Sequence, residues 1–151
     1  MVARAEKPDV IVRRARTTDA RQIATLSGEL GYPSTPAKVI KRLRTLRPTS
    51  QHAVFVAETK ADGVIGWLHI SISWLLESEA RAEVNGLVVS ASQRSLGAGA
   101  QLLAAAEAWS KRQHCRTVNL RSNVIRDRAH EFYLRNGYEH YKTQKAFRKT
   151  L

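Results

Sequence analysis

The chain has 151 residues, 43% of them hydrophobic, and a formal net charge of +12. That length and apolar content suit one ordinary globular domain with a core of its own and exclude a disordered chain. The excess of cations favours anionic partners: nucleic acid, an acidic membrane surface or a phosphorylated ligand.

The apolar runs are too short to span a bilayer, so no membrane partner is expected. The opening stretch, MVARAEKPDVIVRR, lacks the apolar segment of a signal peptide. A single cysteine, Cys115, allows no internal disulfide, and the cytoplasm is the expected location.

Residues 10 to 16, VIVRRAR, read as an opening strand. Thr18 is placed to cap a helix from Asp19 to about Leu30, with Ile23, Leu26 and Leu30 at helical spacing and Gly31-Tyr32-Pro33 as its stop. Thr35-Pro36 opens a second helix with Val39, Leu43 and Leu46 on its apolar side. Its run KVIKRLRTLR, Lys38 to Arg47, is the densest group of cations. It is either a solvated helix face or a basic wall beside a substrate pocket.

HAVFVAET (52 to 59) and VIGWLHISISW (64 to 74) read as strands joined at Asp62-Gly63. The second alternates, with Leu68, Ile70, Ile72 and Trp74 on one face and His69, Ser71 and Ser73 on the other. ARAEVNGLVVS (80 to 90) reads as another strand. Gly86 inside it signals a bulge or a close backbone approach. A helix follows to about Gln113, with Leu102, Ala106 and Trp109 on one side. TVNLRSN (117 to 123) reads as a strand, and residues 127 to 137 as a helix with Gly137 as its C-cap. The tail from Tyr138 suggests one or two final strands. The order is β-α-α-β-β-β-α-β-α-β, a mixed α/β sheet with about four helices packed on it. No repeat, low-complexity tract or linker divides residues 1–151, which read as one domain.

Between the 80–90 strand and the helix after it lies QRSLGAGAQLLAAAE, residues 93 to 107. Two glycines at a strand–helix turn cost stability unless the backbone must bend sharply or come close to something. A helix N-terminus offers free N–H groups and a positive dipole end, so the turn suits phosphate. A Walker loop would need Gly-Lys-Ser/Thr, and a dinucleotide fingerprint a third glycine and an acidic residue at the next strand end. Neither is present.

The turn resembles the acetyl-CoA signature of the GNAT N-acetyltransferases, Q/R-x-x-G-x-G/A, written here Arg94-Ser95-Leu96-Gly97-Ala98-Gly99. The preceding AEVNGLVV is similar to that family's fourth strand, and AHEFYLRNGYE (129 to 139) to its closing helix, F-Y-x-x-x-G-Y/F. The resemblance covers nearly the whole chain and is strongest from Glu83 to Glu139. It implies a GNAT-like fold with a mostly antiparallel central sheet and acetyl-CoA as co-substrate. It also implies transfer of acetyl to a primary amine by direct attack in a ternary complex. By the same resemblance, N–H groups from Ser95 through Leu96, Gly97, Ala98 and Gly99 to Ala100 hold the pyrophosphate, with Arg94 adding a charge-assisted contact. The pantetheine arm runs along Leu87, Val88 and Val89. Asn123 and Arg126, between strand and helix, are further candidates for cofactor contact.

Acetyl transfer needs an uncharged amine, a route for its proton and protonation of the departing thiolate. Some family members place a glutamate base where Glu83 stands, acting directly or through water. The alternative is a carboxylate paired with Arg81. Tyr133 matches the tyrosine that protonates the thiolate in many members. A phenol pKa of about 10 suits that acid; the alternative is a core aromatic. The histidines His52, His69, His114, His130 and His140 show no zinc-site spacing, and no metal is expected. His69 reads as a residue of the acceptor pocket or as a hydrogen-bonded sheet histidine, His130 as a brace of the closing helix, and Cys115 as packing.

SNVIRDRAHEFYLRNGYE is similar to aminoalkylphosphonate and other small-amine acetyltransferases. The expected partner is therefore a small-molecule amine, with an anionic group suited to the basic second helix. A second reading is a non-catalytic GNAT-fold module that binds nucleic acid through its charge, although no RNA-binding motif or basic–aromatic stripe supports it. A third is acetylation of aminoacyl-tRNA or a protein lysine, which the basic surface admits. A homodimer is an assembly the family admits.

Overall fold

The turn ending at Gly63 joins two long strands, β2 (His52–Thr59) and β3 (Gly63–Leu75), and a second reversal carries β3 into β4 (Ser78–Val89). These pair antiparallel. β1 (Val10–Arg14) flanks β2, also antiparallel, and β5 (Val118–Leu120) joins β4 in parallel, so one five-stranded sheet runs β1-β2-β3-β4-β5. The computed structural model describes residues 6–46 and 51–151 and divides into two compact units, Met1–Arg121 and Ser122–Leu151. The sheet belongs to the first unit, with α1 (Ala20–Glu29), α2 (Pro36–Leu46) and α3 (Ala98–Arg112). The second unit holds α4 (Asp127–Arg135). The mixed α/β class expected from the sequence is observed.

Apolar side chains at helical spacing explain the layers. Ile23, Ala24 and Leu26 of α1 and Val39 of α2 pack with Val56, Val64 and Val88 on one face of the sheet. Leu102, Leu103, Ala106 and Trp109 of α3 are almost wholly buried, as are Leu68 and Ile70 of β3. Each of the large ones contributes roughly 1.5–3 kcal/mol by leaving water. The α3 face is fixed by Gly66, where a Cβ would meet Leu102 at 3.3 Å. By strand alternation Leu68 and Ile70 share that face.

Several expectations are corrected. Thr18 does not cap α1; it lies in a 3-10 turn, Thr17–Asp19. Buried Asp19 does the work there. Its carboxylate accepts the Arg16 N–H at 2.8 Å and a two-pronged Arg13 guanidinium at 2.8 and 2.9 Å. Arg13 also donates to both oxygens of Glu58 at 3.0 and 2.9 Å. Burial pushes the Asp19 carboxyl up, but Arg13 and the Arg16 N–H outweigh it and hold it below the usual range. Trp74 alternates correctly yet is exposed, at the irregularity of the β3–β4 ladder between Ser73 and Leu75. The 117–123 strand shrinks to Val118–Leu120. No strand forms over residues 138 to 151, so the observed order ends at α4. Tyr141, Phe147 and Leu151 share strand parity with Lys145 and Lys149, so a strand there would have no apolar face to bury. Arg47, the last cation of the basic run, lies outside the described residues, as do the first five residues.

Three irregularities interrupt the ladders, one of them at the β3–β4 turn between Ser73 and Leu75; the other two are one-residue bulges that set the register of the site. Between Ala57/Gly66 and Glu58/Val64 the extra residue is Ile65 of β3; between His69/Gly86 and Ile70/Val84 it is Asn85 of β4. Gly86 marks the second bulge but is not the extra residue. It is there to make room, since a Cβ would sit 2.8 Å from both Cη2 and Cζ3 of the Trp67 indole. Gly86→Ala is expected to cost about 1–3 kcal/mol by overpacking. In a Trp67→Phe background, which removes the clashing edge, the cost should fall by at least half. Urea unfolding of the four proteins measures both; equal costs in the two backgrounds would contradict this packing.

Candidate active site

The glycine turn is built from three conformations in succession. Residues Ala91–Leu96 form a 3-10 turn, Gly97 is left-handed at φ 77°, and α3 begins at Ala98. Gly97 caps α3 without any side-chain hydrogen bond. Gln101 donates to the Gly97 carbonyl at 3.2 Å, so the N–H groups of Ala98, Gly99 and Ala100 precede the first donor of the helical ladder. A right-handed turn followed by a left-handed residue curls successive N–H groups into a concavity that suits an anion. Ser95 and Leu96 close the 3-10 turn, and Arg94 is exposed beside them. Nothing lies within 4 Å of a Cβ placed on Gly97. The glycine there answers to its φ, and the space in front of it is open.

Just before this turn β4 loses its neighbour. β5 pairs with β4 only at Ala82, Glu83 and Val84, so no described strand covers that side of Leu87, Val88 and Val89. Ser90 donates to Ile65 of β3 at 2.7 Å. By the alternation of an antiparallel ladder Val88 also turns its peptide groups to β3, while Leu87 and Val89 turn theirs to the open side. The Val88 side chain is buried in the α1–α2 core.

On the α1–α2 face, the far half of the sheet is polar. Ser71 stands opposite Glu83 on β4 and opposite His52 on β2; His69 stands opposite Gly86. The Glu83 carboxylate accepts from Arg81 Nε at 3.2 Å and lies 3.5 Å from Arg121 Nη2. Asn85 donates to Ser71 Oγ at 2.7 Å. His52 Nδ1 and His69 Nε2 are 3.0 Å apart. Their ring centroids are 5.3 Å apart with planes inclined by 25°. That separation is what two imidazoles joined end to end through such a contact give, so the pair is an in-line hydrogen bond and not a face-to-face stack. His69 lines a cleft of about 600 Å³ with Lys38, Lys41, Arg42, Thr45 and Leu46. His52 lines a second cavity, of about 560 Å³, with Arg13, Arg14, Arg16 and Trp109 among its walls. The basic run of α2 is thus a wall of a cleft.

In the second unit, α4 ends in a Schellman turn: Tyr138 donates to the Tyr133 carbonyl at 3.0 Å and Gly137 to that of Leu134 at 3.1 Å. Tyr133 is half-buried and packs edge-on against Phe132 and Tyr138. Burial raises its phenol pKa, and the charge of Arg126 opposes the rise. Asn123 holds the turn into α4: its side chain accepts the Ile125 N–H at 3.2 Å, and its carbonyl contacts His130 Nε2 at 2.9 Å. His130 therefore braces that turn. Arg126 precedes the helix and is exposed. Cys115 is buried. Among the described residues no group of three or more metal-ligating side chains gathers, and no helix is long and apolar enough to cross a membrane.

Residues 18–138 match the model of the acetyltransferase (GNAT) family, and the chain belongs to that family. The class is that of acetyl-CoA-dependent N-acetyltransferases. Its relatives include an aminoalkylphosphonate N-acetyltransferase of Salmonella typhimurium, 39% identical over 66 residues; the match spans 42% of this chain and 43% of that protein. A GNAT family acetyltransferase of Staphylococcus aureus superposes with a TM-score of 0.73 at 25% identity, over 94% of this chain and 98% of its own. An aminoglycoside N-acetyltransferase in complex with CoA shares the fold at a TM-score of 0.84 and 19% identity, over the whole of both chains.

The residues that sequence reasoning missed are His52 and the His52–His69 contact. Nothing in spacing alone joins positions seventeen apart across a bulged hairpin. Burial first, and the neighbouring His52 second, push the His69 imidazole down to about 4. The folded state therefore binds fewer protons than the unfolded chain below pH 6.5. The stability this represents is complete above that pH and is lost as pH falls toward 4. Between pH 6.5 and 5 the parent should lose about 1–2 kcal/mol more than His69→Gln, after allowance for the ring's partial exposure. Urea titrations at the two pH values test this, and parallel losses would contradict a neutral buried His69.

Proposed function

We propose that the protein moves the acetyl group of acetyl-CoA to a primary amine on a small molecule that also carries an anionic group, by direct attack in a ternary complex. In this reading residues 1–151 work as one catalytic domain in the cytoplasm; the family match runs across the junction at Arg121 and Ser122. The observation that carries the reading is the open β4 edge at Leu87 and Val89, followed within one short turn by a helix N-terminus with three free N–H groups. An extended amide-bearing arm suits the first and a pyrophosphate the second. Ser95, Leu96, Gly97, Ala98, Gly99 and Ala100 form the phosphate seat with Arg94 beside it. Asn123 and Arg126 add cofactor contacts.

Glu83 draws the acceptor's ammonium to the polar face and takes its proton, directly or through water. The freed nitrogen attacks the thioester carbon, the C–S bond breaks, and Tyr133, kept protonated by burial, gives its proton to the thiolate. The cations of α2 favour an acceptor with a phosphonate, phosphate or carboxylate, and the relative from Salmonella typhimurium carries an aminoalkylphosphonate in its name.

Calorimetric titration with acetyl-CoA tests the seat. Gly99→Glu places a carboxylate in the first turn of α3, where it favours the helix and repels phosphate. The parent should bind and the variant should lose at least tenfold in affinity with its melting temperature kept. Thiol release with 2-aminoethylphosphonate, ethylamine and spermidine then ranks acceptors. No acetyl-CoA binding by the parent, together with salt-sensitive binding to random RNA, would overturn the enzyme reading.

A further inference from the structure

We propose that His69 and His52 form a proton relay that carries the acceptor's proton out of the α2 cleft and into the cavity beside β1, a role that rests on the acetyl-transfer reading. Three features of the fold lead to it. The imidazoles meet in line at 3.0 Å, the geometry in which an N–H on one ring is handed to a bare nitrogen on the other. The two rings open onto different cavities, His69 onto the α2 cleft and His52 onto the other. Lys38, Lys41 and Arg42 wall the cleft, and among its described lining side chains His69 is the one neutral base.

The electrostatics around the pair favour passage over storage. Lys38, Lys41 and Arg42 face His69 from α2, and Arg13, Arg14 and Arg16 surround the cavity of His52. Glu83, a carboxylate on the same face, is engaged by Arg81 and Arg121. Arg13 is paired with Asp19 and Glu58, but a positive charge on either ring is still opposed, by the α2 cations on one side and by Arg14 and Arg16 on the other, so each proton that enters must displace one that leaves. Burial, and His52 after it, also keep His69 neutral.

The proton balance is closed. An ammonium that becomes an amide gives up two protons; one replaces the proton Tyr133 gives to the thiolate, and the other must reach solvent. That proton passes from Glu83, through water, to His69 Nδ1. The His69 Nε2 proton moves to His52 Nδ1, and the proton on His52 Nε2 leaves to solvent. One N–H bond forms and one breaks at each ring, and no oxidant or further reactant is needed. Return of the pair to its starting tautomers completes the cycle.

The test uses the full chain, acetyl-CoA and a panel of primary amines led by 2-aminoethylphosphonate. His52→Gln removes the outer member, a residue that acts only through His69. General acid–base groups of this kind carry about 10²–10⁴-fold, and loss of the exit should lower kcat near pH 7 by about a hundredfold. The KM for acetyl-CoA should stay as in the parent. The deficit should shrink as pH rises toward the pKa of the free amine, and added imidazole should restore part of the rate. His69→Gln should behave alike, and the double variant should be no worse than either, because the two act in series. Parental kcat in His52→Gln, or a deficit that neither pH nor imidazole relieves, would overturn the relay and leave a structural pair. A parent that transfers acetyl to no amine would overturn the acetyl-transfer reading as well. If the variants do not fold, nitrogen-15 NMR of the parent decides. One proton shared between His52 Nδ1 and His69 Nε2 is expected; two bare nitrogens at the contact would contradict it.

Discussion

Two extra residues, Ile65 in β3 and Asn85 in β4, decide which side chains share the working face of the sheet. In a ladder of period two, one inserted residue moves everything beyond it to the other face. With the Gly63 register unbroken, His52 would stand opposite Ile70 and share the α3 core with it. Ile65 shifts it opposite Ser71, onto the face of His69. With the register of Leu68 and Leu87 unbroken, Glu83 would stand opposite Ile72. Asn85 shifts it opposite Ser71 as well. The same insertion sends Leu87 to the α3 side while Gly86 stays beside His69, where Trp67 fills the room a side chain would have taken. A polar row, Glu83–Ser71–His52 with His69 alongside, is thereby assembled on a sheet whose reverse is Leu68, Ile70, Ala82 and Val84.

That row carries little net charge of its own amid a strongly basic chain. Glu83 is shared between Arg81 and Arg121, and His69 is held neutral by burial. Nearer β1, Arg13 is satisfied by Asp19 and Glu58, which ties β1, β2 and the start of α1 together. The cations of α2 that line the cleft have no such carboxylate partners among the described residues, so their field reaches whatever enters. Fixed positive charge in a partly enclosed cleft is a device for choosing ligands more than for stabilising the fold.

Most of the architecture was legible because the signals were local. Helical spacing gave α1, α2 and α3, the Asp62-Gly63 turn gave the hairpin, and the order of glycines at Gly97 and Gly137 gave a helix start and a helix end. What was not legible depended on contacts far apart in sequence. Asp19 outcompetes Thr18 as the organiser of the α1 start because Arg13 reaches it from another element. Trp74 alternates as a buried residue does, but it is exposed where the β3–β4 ladder turns irregular. Gly86 announced a bulge without saying that Asn85 would be the residue left over. The His52–His69 contact needed the register of a bulged hairpin. For the site, the glycine turn followed from sequence pattern, whereas the role of the β4 edge was implied only by the family resemblance. The arginine partners of Glu83 were legible only as far as Arg81, two residues away; Arg121 comes in through the parallel strand β5.

The central claim is that the uncovered edge of β4 and the N-terminus of α3 are one seat for acetyl-CoA. Hydrogen–deuterium exchange with and without acetyl-CoA measures this directly at the amides concerned. The account predicts that the Leu87, Val89, Ala98, Gly99 and Ala100 amides exchange fast in the free protein and become protected together at one ligand concentration. Unchanged exchange at these amides, with protection arising elsewhere in the chain, would contradict it.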